Sequence, residues 1–314
     1  METAFFLASN SANGFYSLYD DFPGDNAYLH IIKAGPGMGK SGFMRRIAAA
    51  AKERGLDTEL IYCSGDPDSL DGLHIPALKQ AWMDGTAPHV REAKIFGVDS
   101  DYVNLGAFCH VPLSAESAEK AEDINRRYKE LYTRAYVYLK AAAVVETKER
   151  ESGQDENIIN QLFENVLSNK TKSEGKQRRR FISAISCKGI VRLEETVHKL
   201  CKQNYLIYPS EAHRLLYSAA KRAEDMGLET ILCPEPLRPE RLEAVILPEQ
   251  GIYIGINPNE KQVNSTEEIF REKAIDCLRS AKELHDDLEA VYKSQMDFSA
   301  LTEYTDKYIE KLFE

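Results

Sequence analysis

The 314-residue chain is long enough for about two domains, and with 43% apolar and 29% charged residues it has the mix of a globular protein with a real core. Its formal net charge of −10 argues against nucleic acid or a membrane surface as the main partner. No apolar run reaches membrane-spanning length, and the start, METAFFLASNSANGF, lacks the basic region and apolar length of a secretion signal. Six cysteines form no CxxC pair and have no histidine at zinc-ligand spacing, which points to reduced thiols and a cytoplasmic location.

Residues 5–20 open with a short apolar segment and a turn at Asn13-Gly14. Tyr28-Leu29-His30-Ile31-Ile32 then has the apolar, β-branched character of a buried strand. Ala34-Gly35-Pro36-Gly37-Met38-Gly39-Lys40-Ser41 follows and fits the phosphate-binding loop pattern, with alanine at the permissive first position. Phe43, Met44, Ile47, Ala48 and Ala51 recur at helical spacing, and Gly55 stands where a C-terminal cap belongs.

The spacing has a chemical reason. Glycines let the backbone curl so that successive N–H groups aim at one anion, and the helix start adds its positive end. Gly35, Pro36, Gly37, Met38, Gly39, Lys40, Ser41 and Gly42 are therefore the expected triphosphate site. Lys40 reaches the β- and γ-phosphates, and the Ser41 hydroxyl serves as a ligand for Mg²⁺ bound with ATP or GTP.

Thr58–Cys63 reads as a second strand ending in the acidic loop SGDPDSLDG, with Leu73-His74-Ile75 a further short strand. Gln80–Asp84 brings apolar residues up to an acid at a strand's carboxyl end, the place for a second magnesium contact. Asp84 takes that role here, while Asp66 and Asp68 compete for metal or for positioning the attacking water. His89, His110 and His213 read as turn or surface histidines, and Trp82 as a core residue.

From Ser114 the pattern becomes helical. Ile124, Tyr128, Leu131, Ala135, Tyr138, Ala142 and Val145 form a four-three seam, and Asn157–Ser168 a second amphipathic helix. Together they predict a helical hairpin over 114–168. Residues 169–180 read as a polar, basic linker whose Arg178-Arg179-Arg180 run is a solvated segment, the favoured reading, or a phosphate or nucleic-acid contact.

The second half repeats the first. Gly55–Leu78 aligns with Gly227–Gln250 at an offset of 172, and FLASNSANGF with FISAISCKGI at 175. A second seam runs from Phe270 to Val291 after a capping box at Ser265 and Glu268. The expected fold is α/β: a P-loop NTPase-like parallel sheet flanked by helices, in two pseudo-repeats each followed by a helical hairpin. The boundaries are 1–172, with hairpin 114–168, and 178–314, with hairpin 265–313. The drop in offset removes three residues between Gly189 and Gly227, where Tyr205–His213 has no glycine and no lysine. Glu211 sits at the helix start, Asp66 maps to Arg238, and Asp84 maps to Ile256 or Asn257. The second half is expected not to bind triphosphate in the same way.

The segments GFYSLYD, KAGPGMGKS, CSGDPDSLDGLHIPALKQAWMDGTAPH and SAISCKGIV resemble an uncharacterised family of bacterial tandem P-loop ATPase-like proteins. The resemblance covers nearly the whole chain and implies nucleotide binding and hydrolysis. In that family both halves commonly carry a phosphate loop, and this sequence departs by keeping only the first. The leading expectation is a Mg²⁺-dependent ATPase or GTPase coupled to a conformational change or to a protein partner bound through the helical hairpins. Arg126, Arg127 and Arg178–Arg180 are its candidate transition-state cations. The alternatives are a small-molecule or nucleotide kinase and a non-catalytic nucleotide-gated scaffold.

Overall fold

The structure is a computed structural model that describes residues 1–24, 27–145, 157–167, 175–257 and 265–314. Its first half runs β1 (Glu2–Phe6), β2 (Ala8–Ser11), β3 (Gly14–Ser17), β4 (Tyr28–Lys33), α1 (Lys40–Glu53), β5 (Thr58–Tyr62), β6 (Leu70–Ile75), β7 (Gln80–Asp84), β8 (Ser100–Asn104), α2 (Ala115–Val144) and α3 (Asn157–Leu167). The second runs β9 (Gln177–Arg179), β10 (Ser183–Ser186), β11 (Gly189–Arg192), α4 (Glu194–Leu200), β12 (Gln203–Ile207), α5 (Pro209–Asp225), β13 (Thr230–Pro234), β14 (Leu242–Leu247), β15 (Ile252–Ile256), α6 (Ser265–Lys293) and α7 (Phe298–Leu312).

The expected parallel P-loop sheet is not what forms. The first sheet has the order β1-β5-β6-β7-β4-β8, and β6 runs antiparallel to both β5 and β7. Only β1 with β5 and β7 with β4 with β8 are parallel. Connection length is the physical reason. Residues 63–69 join β5 to β6, and 76–79 join β6 to β7. A parallel crossover needs roughly a dozen residues or more, so links this short close antiparallel pairs. A 3-10 turn over Pro76–Leu78, with Lys79 at φ 54°, makes the second of them.

The five-stranded sheet β9-β13-β14-β15-β12 repeats five strands of the first in the same order and with the same pairing directions. Residues 177–179, expected as linker, are its edge strand β9, parallel to β13. Arg180 beyond it is fully buried, with its Nε 2.5 Å from Glu59 Oε1 on β5. A buried cation needs such a partner, so Arg180 is structural rather than solvated, while Arg179 stays exposed. Phe6 and Phe181 exchange backbone hydrogen bonds of 2.9 Å beside it, joining the two halves through their chain starts.

The helices also depart from the expected hairpins. The seams of α2 and α6 pack on each other: Ala121 and Ile124 lie with Leu284, Leu288 and Val291, and Ala135 and Leu139 with Ala274 and Leu278. Early residues of one meet late residues of the other, so the pair is antiparallel. The short helices are exchanged between halves. Ile159, Leu162 and Phe163 of α3 pack on Leu215, Leu216 and Ala219 of α5, and Leu301, Tyr304 and Tyr308 of α7 on Phe43, Met44 and Ile47 of α1. Each sheet is thus closed on its outer face by a helix from the other half. Phe5, Phe6, Leu7 and Ile31 meet Phe181, Ile182, Ile231 and Ile246 in a shared core between the sheets. Residues 146–156 and 168 of the expected first hairpin lie outside the described residues, and no described helix is long and apolar enough to cross a membrane.

Candidate phosphate-binding site

Strand β4 carries the chain to the carboxyl edge of the sheet, and residues 34–39 turn it into α1. Gly37 and Gly39 adopt φ +69° and +87°, the left-handed region that only glycine enters cheaply. The turn therefore curls instead of extending. Among the described residues, the N–H groups of Gly37, Met38, Gly39, Lys40, Ser41 and Gly42 have no protein acceptor. The last three are the free donors that every helix start presents. The Lys40 ammonium folds back over the turn, donating to the carbonyls of Ala34 (3.0 Å) and Gly35 (2.8 Å).

Asp84 ends β7, in register with Ile32 on the neighbouring parallel strand. That register places its Oδ2 3.4 Å from Lys40 Nζ. The Thr86 N–H donates to its Oδ1 (2.9 Å). Burial pushes the Asp84 carboxyl above its ordinary pKa, and the Lys40 charge opposes the shift. Ser41 Oγ accepts the Leu70 N–H (3.0 Å), tying the start of β6 to the loop. Asp66 pairs with Lys282 on α6 at 3.4 Å. Asp68 turns outward, about three-quarters exposed, to Lys188. Of the three candidate acids, then, only Asp84 touches the lysine.

The second half holds no such turn. Only Tyr208 separates β12 from α5, and the register that pairs Ile32 with Asp84 pairs Ile207 with Ile256. The strands before the gap keep the 175 offset (28 to 203), and those after it keep 172 (58 to 230). The lost residues are therefore those of the loop itself. Arg238, at the place of Asp66, is buried between Glu235 and Glu267. The side chain of Glu211 lies outside the described residues.

The expected arginines stand elsewhere. Arg126 and Arg127 sit on the exposed face of α2 with Asp123 and Glu130, and Arg179 pairs with Asp21. What approaches the loop is α6. A Cβ on Gly37 would lie 2.9 Å from the Glu289 carbonyl oxygen, and one on Gly39 would lie 2.7 Å from Leu301 of α7. Lys282, His285 and Glu289 share one face of α6 at helical spacing. Nothing local in the sequence marks them, because they sit among ordinary surface ion pairs such as Lys282 with Asp286.

His89 is no surface histidine. It is buried under the rings of Phe15 and Tyr19, with Nε2 3.3 Å from Asp71 Oδ2, which also accepts the Tyr19 hydroxyl (3.0 Å). Burial alone would lower the histidine pKa, but the Asp71 charge raises it above the ordinary value. For Asp71, burial works upward and the histidine charge prevails, leaving its pKa lowered. A raised histidine stabilises the fold fully below its unfolded pKa of about 6.5, and that stability is lost as pH rises through the folded value. A lowered Asp stabilises above its unfolded pKa of about 3.9 and loses this as pH falls. Thermal melts should therefore be highest between roughly pH 4 and 6.5 for this pair and decline above it. Asp71→Asn should flatten the decline, and an unchanged slope in that variant would reject the assignment.

A cleft of about 1200 Å³ lies at the opposite end of the sheet beside Tyr28, Gln80 and Ser100, where those strands begin. Size favours it, but ligands of open α/β sheets gather at the carboxyl ends, and the free amides are there too. No protein-family model matches the chain, and no curated protein or solved structure matches it.

Proposed function

We propose that the amino-terminal half binds a nucleoside triphosphate, ATP or GTP, with Mg²⁺ and hydrolyses it, the change being passed to α6 and α7. The observation that carries this reading is the set of six acceptor-free amides beside the Lys40 ammonium at a strand-to-helix turn. Such a concavity suits an anion, and the oxygens of a polyphosphate match its several donors. A bound triphosphate would take over Lys40 from the Ala34 and Gly35 carbonyls and free Asp84 from its ion pair. Ser41 and Asp84 are hard oxygen donors suited to Mg²⁺, which binds through one or two side chains and the substrate's own phosphates. No cluster of three or more His, Cys, Asp or Glu able to hold a metal alone occurs among the described residues. The ion would offset phosphate charge. Asp66, less exposed than Asp68, is the better placed acid to orient a water.

A fluorescent triphosphate analogue titrated with Mg²⁺ tests this. Lys40→Ala removes a charged donor worth about 1.5–3 kcal/mol, so binding should weaken roughly ten- to a hundredfold. Equal binding by wild type and variant would overturn the proposal.

A further inference from the structure

We propose that Lys282 of α6 is a catalytic residue, a cation delivered by the second half to the γ-phosphate held by the first. The inference rests on the triphosphate reading above and adds the group that would make hydrolysis fast. In hydrolysis the water oxygen forms a bond to the γ-phosphorus, and the bond from that phosphorus to the β,γ-bridging oxygen breaks. The electron pair stays on the nucleoside diphosphate, and the water's protons pass to inorganic phosphate and solvent. Negative charge grows on the bridging oxygen, and a fixed cation there lowers the barrier.

Three observations converge on Lys282. Helix α6 touches the loop directly, Glu289 meeting Gly37 so closely that no Cβ fits between them. Lys282 lies two turns earlier on the same face, about 10 Å along the axis. Its ammonium is aimed at Asp66 (3.4 Å), and the strand after the Asp66 loop is hydrogen-bonded to Ser41 through Leu70. The lysine is therefore held against the acidic loop that leads into the strand tied to Ser41. Burial works against its charge, but Asp286 and Asp66 outweigh that and keep it protonated. The rival cation, Lys188, is about half exposed and sits on the outward-facing Asp68. Because α6 also forms the long antiparallel pair with α2, a lysine on it ties turnover to the packing of the two halves.

The test uses the full chain and two separate readouts: binding of the fluorescent triphosphate analogue with Mg²⁺, and phosphate release from ATP and GTP. Lys282→Ala should bind within about twofold of wild type yet release phosphate roughly 10²- to 10³-fold more slowly. Lys282→Arg should recover most of the rate, and Lys188→Ala should leave both readouts unchanged. Matching melting temperatures establish that the variants fold. The inference is overturned if Lys282→Ala turns over like wild type, or if it loses binding in step with rate. Wild type that binds without turnover would overturn it too, while leaving triphosphate binding intact. Wild type that fails to bind would overturn the functional reading itself.

Discussion

Replacing Glu59 with alanine is expected to lower the unfolding free energy by about 3–5 kcal/mol, a large part of the margin of any domain. The variant leaves the Arg180 guanidinium fully buried and facing no carboxylate. Burial raises the Glu59 pKa, but the charges of Arg180 and Arg178 and the His74 hydrogen bond together drive it far below the ordinary range. A lowered carboxyl stabilises above its unfolded pKa of about 4.3, and that stability persists well into acid before it is lost. Arg180→Met alone should also be damaging, since it leaves the buried carboxylate only its longer contacts to Arg178 and His74, each 3.6 Å. The double variant Glu59→Leu with Arg180→Met should recover most of the loss, because paired apolar residues fill the site without a buried charge. Urea midpoints of wild type, Glu59→Leu, Arg180→Met and the double variant measure the coupling. Single variants within ~1 kcal/mol of wild type would show the pair to be a bystander.

That pair shows where sequence reading succeeds and where it stops. The strand, turn and helix over 28–55 are legible because their signals are local: glycines that must take positive φ, an apolar run before them, a periodic helix after. The loss of the second loop is legible for the same reason, as a change of offset. Strand direction was accessible too, since 63–69 and 76–79 are too short for crossovers. Inferring the sheet from the loop it carries overrides that arithmetic. Partner choice is another matter. A four-three seam tells that a face is buried, not against what, and the seams of α2 and α6 suit each other as well as hairpins of their own. Arg180 looks solvated beside two other arginines, and its only sequence clue is a glutamate inside the apolar strand TELIY. Lys282 and the Asp71–His89 pair come together only through tertiary packing.

The exchange of helices carries the other large prediction. Tyr308 of α7 accepts the Trp82 indole N–H (2.9 Å), and its ring lies edge-on to Phe43 of α1, 5.0 Å between centroids. Tyr308→Ala should therefore destabilise by roughly 3–5 kcal/mol, through the lost aromatic volume and the buried indole donor left without a partner. Tyr308→Phe keeps the volume and should cost only about 1–3 kcal/mol. Trp82 is the sole tryptophan and lies two residues before Asp84, so its emission should report the unfolding of the first half and, under the proposed function, respond to Mg-nucleotide in folded protein. Deleting 298–314 extends the argument. By sequence the helix belongs to the second half, yet its removal uncovers Phe43 and Met44 and should release Trp82 emission from its buried state. A truncated chain that kept buried tryptophan emission and its urea midpoint would mean that α7 is no part of the first half's core. If instead the first half opens, the segment carrying the phosphate loop depends for its folding on the opposite end of the chain. Contact of Leu301 with Gly39 then becomes a direct route from α7 to the loop.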